Sequence, residues 1–238
     1  PRTVLPELLD ELAPDDPRAQ RSRGDLRRIH VAMGTAGIVQ RALAQLHPAT
    51  PPRRILELGA GDGSLMLRVA RRLAWRGVEL TLLDRVELLD RATRDGYASL
   101  GWQVRSQRRC VLDWARTDTG GRGASDARYD LGVASLFLHH FDPRALAEIL
   151  CAVAERCDAF VAVEPRRGRL ARVGSRLVVL LGANAVTRAD AVTSVAAGFA
   201  GRELTAAWPP DPPWHLVEAA AGPFAHRFVA ARGRRDGR

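Results

Sequence analysis

The stretch RRILELGAGDGSL, Arg53–Leu65, limits what this chain can fold into more than any other segment. An apolar run, Ile55–Leu58, carries one carboxylate, Glu57, and breaks into three alternate glycines, Gly59, Gly61 and Gly63. Uninterrupted apolar runs suit strands covered on both faces, and glycine lets a backbone turn tightly and approach a ligand closely. Leu65, Val69 and Leu73 follow at helical spacing. The order is strand, glycine turn, helix, which is how a parallel crossover unit begins.

The rhythm continues downstream. Strands are predicted at 78–84, within 102–112, at 129–138 and at 159–164, separated by helical segments such as PRALAEILCAVAERC. RTDTGGRGASDAR reads as a loop. After helical stretches near 168–182 and 187–207, the loop PPDPP leads into WHLVEAAAGPFAHRFVAA, two strands joined by a Gly-Pro turn. The expected fold is α/β: a Rossmann-like, doubly wound, mostly parallel seven-stranded sheet with a C-terminal antiparallel hairpin. The first fifty residues read as helices, LPELLDEL, a basic helix from about Arg18 to Met33, and GTAGIVQRALAQL, ended by the prolines of HPATPPRR. The expected division is a helical cap or lid at 1–50, a core at 51–232 with a helical insertion at 166–210 lining a pocket, and a disordered tail at 233–238.

A dinucleotide turn wants G-x-G-x-x-G, whereas here the glycines alternate and an acid precedes them. That acid would repel a pyrophosphate and suits a cationic, amino-acid-bearing nucleoside. On these residues ILELGAGDG resembles motif I of the class I S-adenosylmethionine-dependent methyltransferases. The resemblance covers about 53–164 well and the terminal hairpin moderately. It implies S-adenosylmethionine as cofactor, with Glu57 toward its amine end and Gly59, Ala60 and Gly61 alongside. The family places an acid at the end of the second strand on both ribose hydroxyls, matched by Asp84 in LTLLD, with Arg85 next to it. An acid after the third strand lies near the adenine amine, matched by Asp113 in CVLDW, with Trp114 against the ring. Asp130 in YDLGVAS opens the fourth strand, and Ser135 at its end joins the expected cofactor site. Coincidence among strand-end acids is the plain alternative.

SLFLHHF resembles the equivalent segment of small-molecule methyltransferases. His139 and His140 fall at the carboxyl end of the fourth strand, where open α/β sheets bind ligands, and an imidazole there can take a hydroxyl proton. They are the candidate catalytic residues, with packing beneath the next helix as the alternative role. His30, Met33, Arg166 and Trp214 are the candidate substrate-binding residues. Met33 would close the cofactor's amino-acid end, Arg166 stands with Glu164 and Arg167 at the fifth-strand end, and Trp214 with Trp208 would make an aromatic wall. No metal site is expected, because Asp142 is an isolated acid in this region. The flanks resemble bacterial methyltransferases of secondary metabolism, which implies O-methylation of an aromatic or polyketide-like metabolite. N- or C-methylation stays open, as does a non-catalytic cofactor-binding module.

Charge bears on the partner. The net charge is +9, yet all 36 basic residues are arginine and they are scattered, a bias that fits GC-rich coding better than phosphate binding. Neither an Asn/Asp-Pro-Pro-aromatic motif nor a Pro-Cys nucleophile follows the fourth strand. A small-molecule partner is therefore expected over nucleic acid or protein. The longest apolar run is too short for a membrane span, and the N-terminus lacks a signal-peptide layout, so the expected location is cytoplasmic. Cys110, Cys151 and Cys157 show no redox or metal spacing and read as small buried residues. Monomer and homodimer both fit.

Overall fold

Each apolar run becomes a strand: β1 Arg54–Leu58, β2 Glu79–Asp84, β3 Gln103–Arg108, β4 Tyr129–Ser135, β5 Cys157–Pro165, β6 Trp214–Ala221 and β7 Ala225–Arg232. In the computed structural model, which describes residues 2–47, 50–117, 128–211 and 213–233, they form one sheet in the order β3-β2-β1-β4-β5-β7-β6. The expected 116–128 loop and 233–238 tail fall almost wholly outside the described residues. Neighbouring strands from β3 to β5 pair in parallel, with Ile55 beside both Leu80 and Leu131, while β7 runs antiparallel between β5 and β6. β1 and β4 are therefore central, and Ile55–Leu58 is buried throughout, Glu57 included. Asp130, at the opposite end of β4 from the glycine turn, accepts the Arg53 and Arg54 amides at 2.6 and 3.0 Å and so pins the start of β1.

The helices are α1 Leu8–Glu11, α2 Pro17–Ala32, α3 Thr35–Leu46, α4 Ser64–Ala70, α5 Arg91–Ser99, α6 Val111–Arg116, α7 Pro143–Arg156, α8 Arg169–Arg176, α9 Ala185–Ala197 and α10 Glu203–Ala207. Two core layers result, one per sheet face. Ile38, Val39, Ala42 and Leu43 of α3 pack with Met66, Ile55 and Leu131 on one side. Trp114, Ile149, Phe160, Trp208 and Phe228 fill the other. The expected 1–50 cap is thus smaller: α3 carries an apolar stripe that covers the sheet, and only α1 and α2 lie over α9 as a cap.

Three further expectations change. The helix after the glycines ends at Ala70. β4 stops at Ser135, because Leu136 takes a φ of 51° that no strand accommodates, and Leu138–His140 becomes a 3-10 turn. Cys110 and Cys151 are exposed, and only Cys157 is buried. Among the described residues no helix is long and apolar enough to cross a membrane.

Candidate functional site

A cavity of about 760 Å³ opens at the carboxyl ends of β1, β2 and β4, roofed by α1, α2, α8 and α9. Its floor is built by the glycine turn. Gly59, Gly61 and Gly63 have φ of 64°, 56° and 72°, a region that side chains with a Cβ rarely adopt. The Gly59 and Ala60 amides donate to the Leu83 carbonyl at 2.9 and 3.3 Å, so the turn is stitched to the end of β2. Asp84, on that end, accepts the Gly61 amide at 2.9 Å and the Val86 amide at 3.0 Å. Phe137 lies so close over Gly59 that a Cβ there would come within 2.1 Å of its ring. Glu57, Gly59, Ala60, Gly61, Asp84, Arg85 and Ser135 all line this cavity.

Polar atoms sealed from solvent here find no hydrogen-bond partner among the described residues: Glu57 Oε2, Ser135 Oγ and His30 Nδ1. Native folds rarely leave such atoms unmet, so a ligand with matching polar groups is indicated. Burial, together with the charges of Asp62 and Asp84, pushes the Glu57 carboxyl up to about 8. Burial, with Arg68 nearby, lowers His30 to about 4, so this ring is neutral. His30 on α2 and Met33 at its C-cap line the same cavity.

The other half is organised by Glu164 at the end of β5. This fully buried carboxylate accepts three successive amides, Phe137, Leu138 and His139, at 3.1, 3.0 and 3.3 Å. It also accepts His139 Nδ1 at 2.9 Å. His139 Nε2 meets Glu7 Oε1 at 3.3 Å, and Glu7 in turn accepts the Ser194 hydroxyl. Burial pulls the His139 pKa down, but the hydrogen bonds and charges of Glu164 and Glu7 outweigh it and hold the ring at about 9. An imidazole with both nitrogens engaged by carboxylates does not suit general-base work. His140, only partly buried, keeps Nδ1 3.2 Å from Asp10 Oδ2.

Four expected site residues lie elsewhere. Asp113 and Trp114 sit on α6, the first pointing to solvent and the second into the core beneath Arg156, 4.6 Å from its ring centre. The chain instead reaches the cavity through Arg109, Cys110 and Val111. Arg166 turns to the Gly222 carbonyl at 3.1 Å. Trp214 packs edge-on against Trp208 at 5.1 Å, partly buried at the margin of the core. Asp142, the isolated acid, is the N-cap of α7. The residues that sequence reading passed over are Glu7 and Asp10, which lie in a segment whose spacing says only "amphipathic helix", and Leu136 and Phe137, whose roles come from backbone shape.

No family model and no curated protein sequence matches the chain. Solved structures do. The plantazolicin methyltransferase BpumL, in complex with SAH (S-adenosylhomocysteine), superposes with a TM-score of 0.63 at 11% identity over 92% of each chain. An O-methyltransferase family protein from Burkholderia thailandensis gives 0.58 at 17% identity, covering 93% of this chain and 62% of that one. Magnesium protoporphyrin IX methyltransferase (ChlM) from Synechocystis PCC 6803, with bound SAH, gives 0.53 at 14% over 88% and 86%. At such identities the likeness shows the fold alone, a Rossmann-like, mostly parallel sheet with an antiparallel C-terminal pair.

Proposed function

We propose that the chain is a class I S-adenosylmethionine-dependent methyltransferase that methylates a hydroxyl of a small aromatic or polyketide-like metabolite. The observation that carries this reading is the coupling of the glycine turn to Asp84 through the Gly61 amide, in a cavity that also holds unpartnered Glu57. Asp84 offers two carboxylate oxygens at the strand end to a vicinal diol, and Glu57 offers a buried oxygen to a cationic amine. Ser135 and the Leu136–Phe137 backbone flank the space between them. When bound, the cofactor supplies an activated methyl group on a sulfonium. The protein's part is to orient that methyl toward an acceptor oxygen and to exclude water.

The acceptor half of the cavity is largely apolar, with Leu26, Ile29, Ala171, Val178, Ala191 and Val195 among its walls. Such walls suit a flat, hydrophobic acceptor. Of the two histidines, His140 beside Asp10 is placed to receive the acceptor's proton, while His139 is a positioning residue that fixes the turn. The likeness to structures described as O-methyltransferases supports oxygen as the methylated atom.

Calorimetry with S-adenosylhomocysteine tests the cofactor. Micromolar binding is expected, and Asp84→Ala should weaken it at least tenfold, since a carboxylate hydrogen bond is worth about 1.5–3 kcal/mol. An absence of binding to the folded wild type would overturn the proposal. A screen of phenolic metabolites for methyl incorporation then tests the acceptor class, and transfer only to nitrogen or carbon would correct it.

A further inference from the structure

We propose that Glu7, His139 and His140 form a binding site for one divalent transition-metal ion at the acceptor end of the cavity. Their candidate ligand atoms all lie within 4.8 Å of one another. His139 Nε2 is 3.3 Å from Glu7 Oε1, and His140 Nε2 is 3.9 Å from Glu7 Oε2. Ligands that each sit about 2.0–2.2 Å from a shared ion stand roughly 3–3.5 Å apart, so modest side-chain adjustment closes the set.

The opposite ring nitrogens carry the stronger argument. His139 Nδ1 is held by Glu164 Oε2 at 2.9 Å, and His140 Nδ1 by Asp10 Oδ2 at 3.2 Å. A ligating histidine almost always gives its second N–H to a carboxylate or similar acceptor, which fixes the tautomer and strengthens the donor nitrogen. Here each ring has its own carboxylate at Nδ1, and both rings turn Nε2 toward a third, Glu7, so the ion would take the place of the proton between His139 Nε2 and Glu7, which leaves to solvent. Charge points the same way. Arg85 is set against Asp10 at 2.6 Å, and Arg2, bonded to the His139 and Phe141 carbonyls, lies close enough to Glu164 to feel its charge. Glu7 is left as the carboxylate between the two imidazoles, supported by the Ser194 hydroxyl.

Two imidazoles and a carboxylate suit Zn²⁺, Fe²⁺, Co²⁺ or Mn²⁺, whereas Mg²⁺ and Ca²⁺ prefer all-oxygen sets. All three ligands line the cavity, so the remaining coordination positions face the acceptor. The ion's role rests on the methyltransferase reading, although its binding does not. With the ion held, His140 is a ligand and no longer the proton's acceptor, and an acceptor hydroxyl bound to the ion would release its proton to solvent more readily, keeping the oxygen lone pair for the methyl carbon.

The test is direct. The full chain, stripped with a chelator and dialysed, is titrated with Zn²⁺ against a chromophoric chelator and with Co²⁺ by visible absorption. One ion per chain at micromolar affinity or better is expected. Glu7→Gln and His140→Gln should each lose at least tenfold, while His215→Gln, at an exposed strand position, should lose nothing. His140 is partly exposed, so His140→Gln should keep the wild-type melting curve. No stoichiometric binding by the wild type, or equal affinity in folded His140→Gln, would overturn the site. Calorimetry with S-adenosylhomocysteine on the metal-free sample separates the two proposals: retained cofactor binding without metal binding removes only this one.

Discussion

Glu57 is a buried acid whose carboxyl is raised to about 8, with Asp62 and Asp84 as its charged neighbours and the Tyr97 hydroxyl within electrostatic reach. A cationic amine arriving at Oε2 favours the carboxylate, so cofactor binding below that pH releases a proton. Affinity for S-adenosylhomocysteine is therefore expected to rise with pH toward about 8 and then level, and Glu57→Gln should flatten the slope. Calorimetry in buffers of different ionisation enthalpy measures the released proton, and a pH-independent wild-type affinity would contradict the assignment. For the free fold the sign reverses. The folded state prefers the neutral acid, so this group's contribution to stability is complete below the ordinary 4.5 and is lost as pH rises through about 8. Gly59 makes a second residue-scale prediction. Its positive φ and the Phe137 ring above it leave no place for a methyl group. Gly59→Ala should cost about 2–5 kcal/mol, lowering Tm by roughly 4–20 °C, and should weaken S-adenosylhomocysteine binding at least tenfold. An unchanged affinity would mean the turn does not contact the cofactor.

At the scale of elements, the roof over the cavity is held by buried carboxylates that bridge helices. Asp190 on α9 accepts the Leu8 and Leu9 amides at 2.7 and 3.0 Å, taking the place of a local cap for α1. Asp25 on α2 accepts the Asn184 amide at 2.7 Å and the Thr187 hydroxyl at 3.0 Å, and pairs with Arg28. Asp25→Ala would leave those donors unmet, and a loss of about 3 kcal/mol is expected in thermal or urea unfolding. A change under about 0.5 kcal/mol would show that α2 is held by packing alone. The strands were legible because continuous apolar runs have few other uses, and Glu57, Gly59, Gly61 and Asp84 were legible because strand and turn place them locally. Asp113 and Trp114 were not, since adjacent residues on a helix point about 100° apart and the segment's register decides which faces the cavity. Nothing local could announce Glu7: its histidine partner lies 132 positions away.

For the whole molecule, the arginine bias finds a use inside the fold. Arg2, Arg54, Arg85, Arg128, Arg156 and Arg167 each donate to backbone carbonyls, five of them across more than thirty positions, so much of the positive charge braces the chain. A planar fork with five donors does this where a lysine ammonium does not. The most distant braces gather at the N-terminal segment, where Arg2 reaches the Ala197 carbonyl and Glu7 reaches Ser194, separations of 195 and 187 positions. β1, by contrast, finds β2 across one short crossover, from Arg54 to Glu79. Because closing a long loop costs more chain entropy, the sheet and its glycine turn should assemble first and the N-terminal segment should dock last. Native-state hydrogen exchange should show it: the Leu8 and Leu9 amides opening at a small fraction of the global free energy, and the β1 and β4 amides only on global unfolding. Equal protection at both places would refute that order. On refolding, then, the cradle proposed for the cofactor would be complete while the chamber proposed for the acceptor still lacks its wall, so the chain would pass through a stage able to hold the proposed donor before it can enclose anything to receive the methyl group.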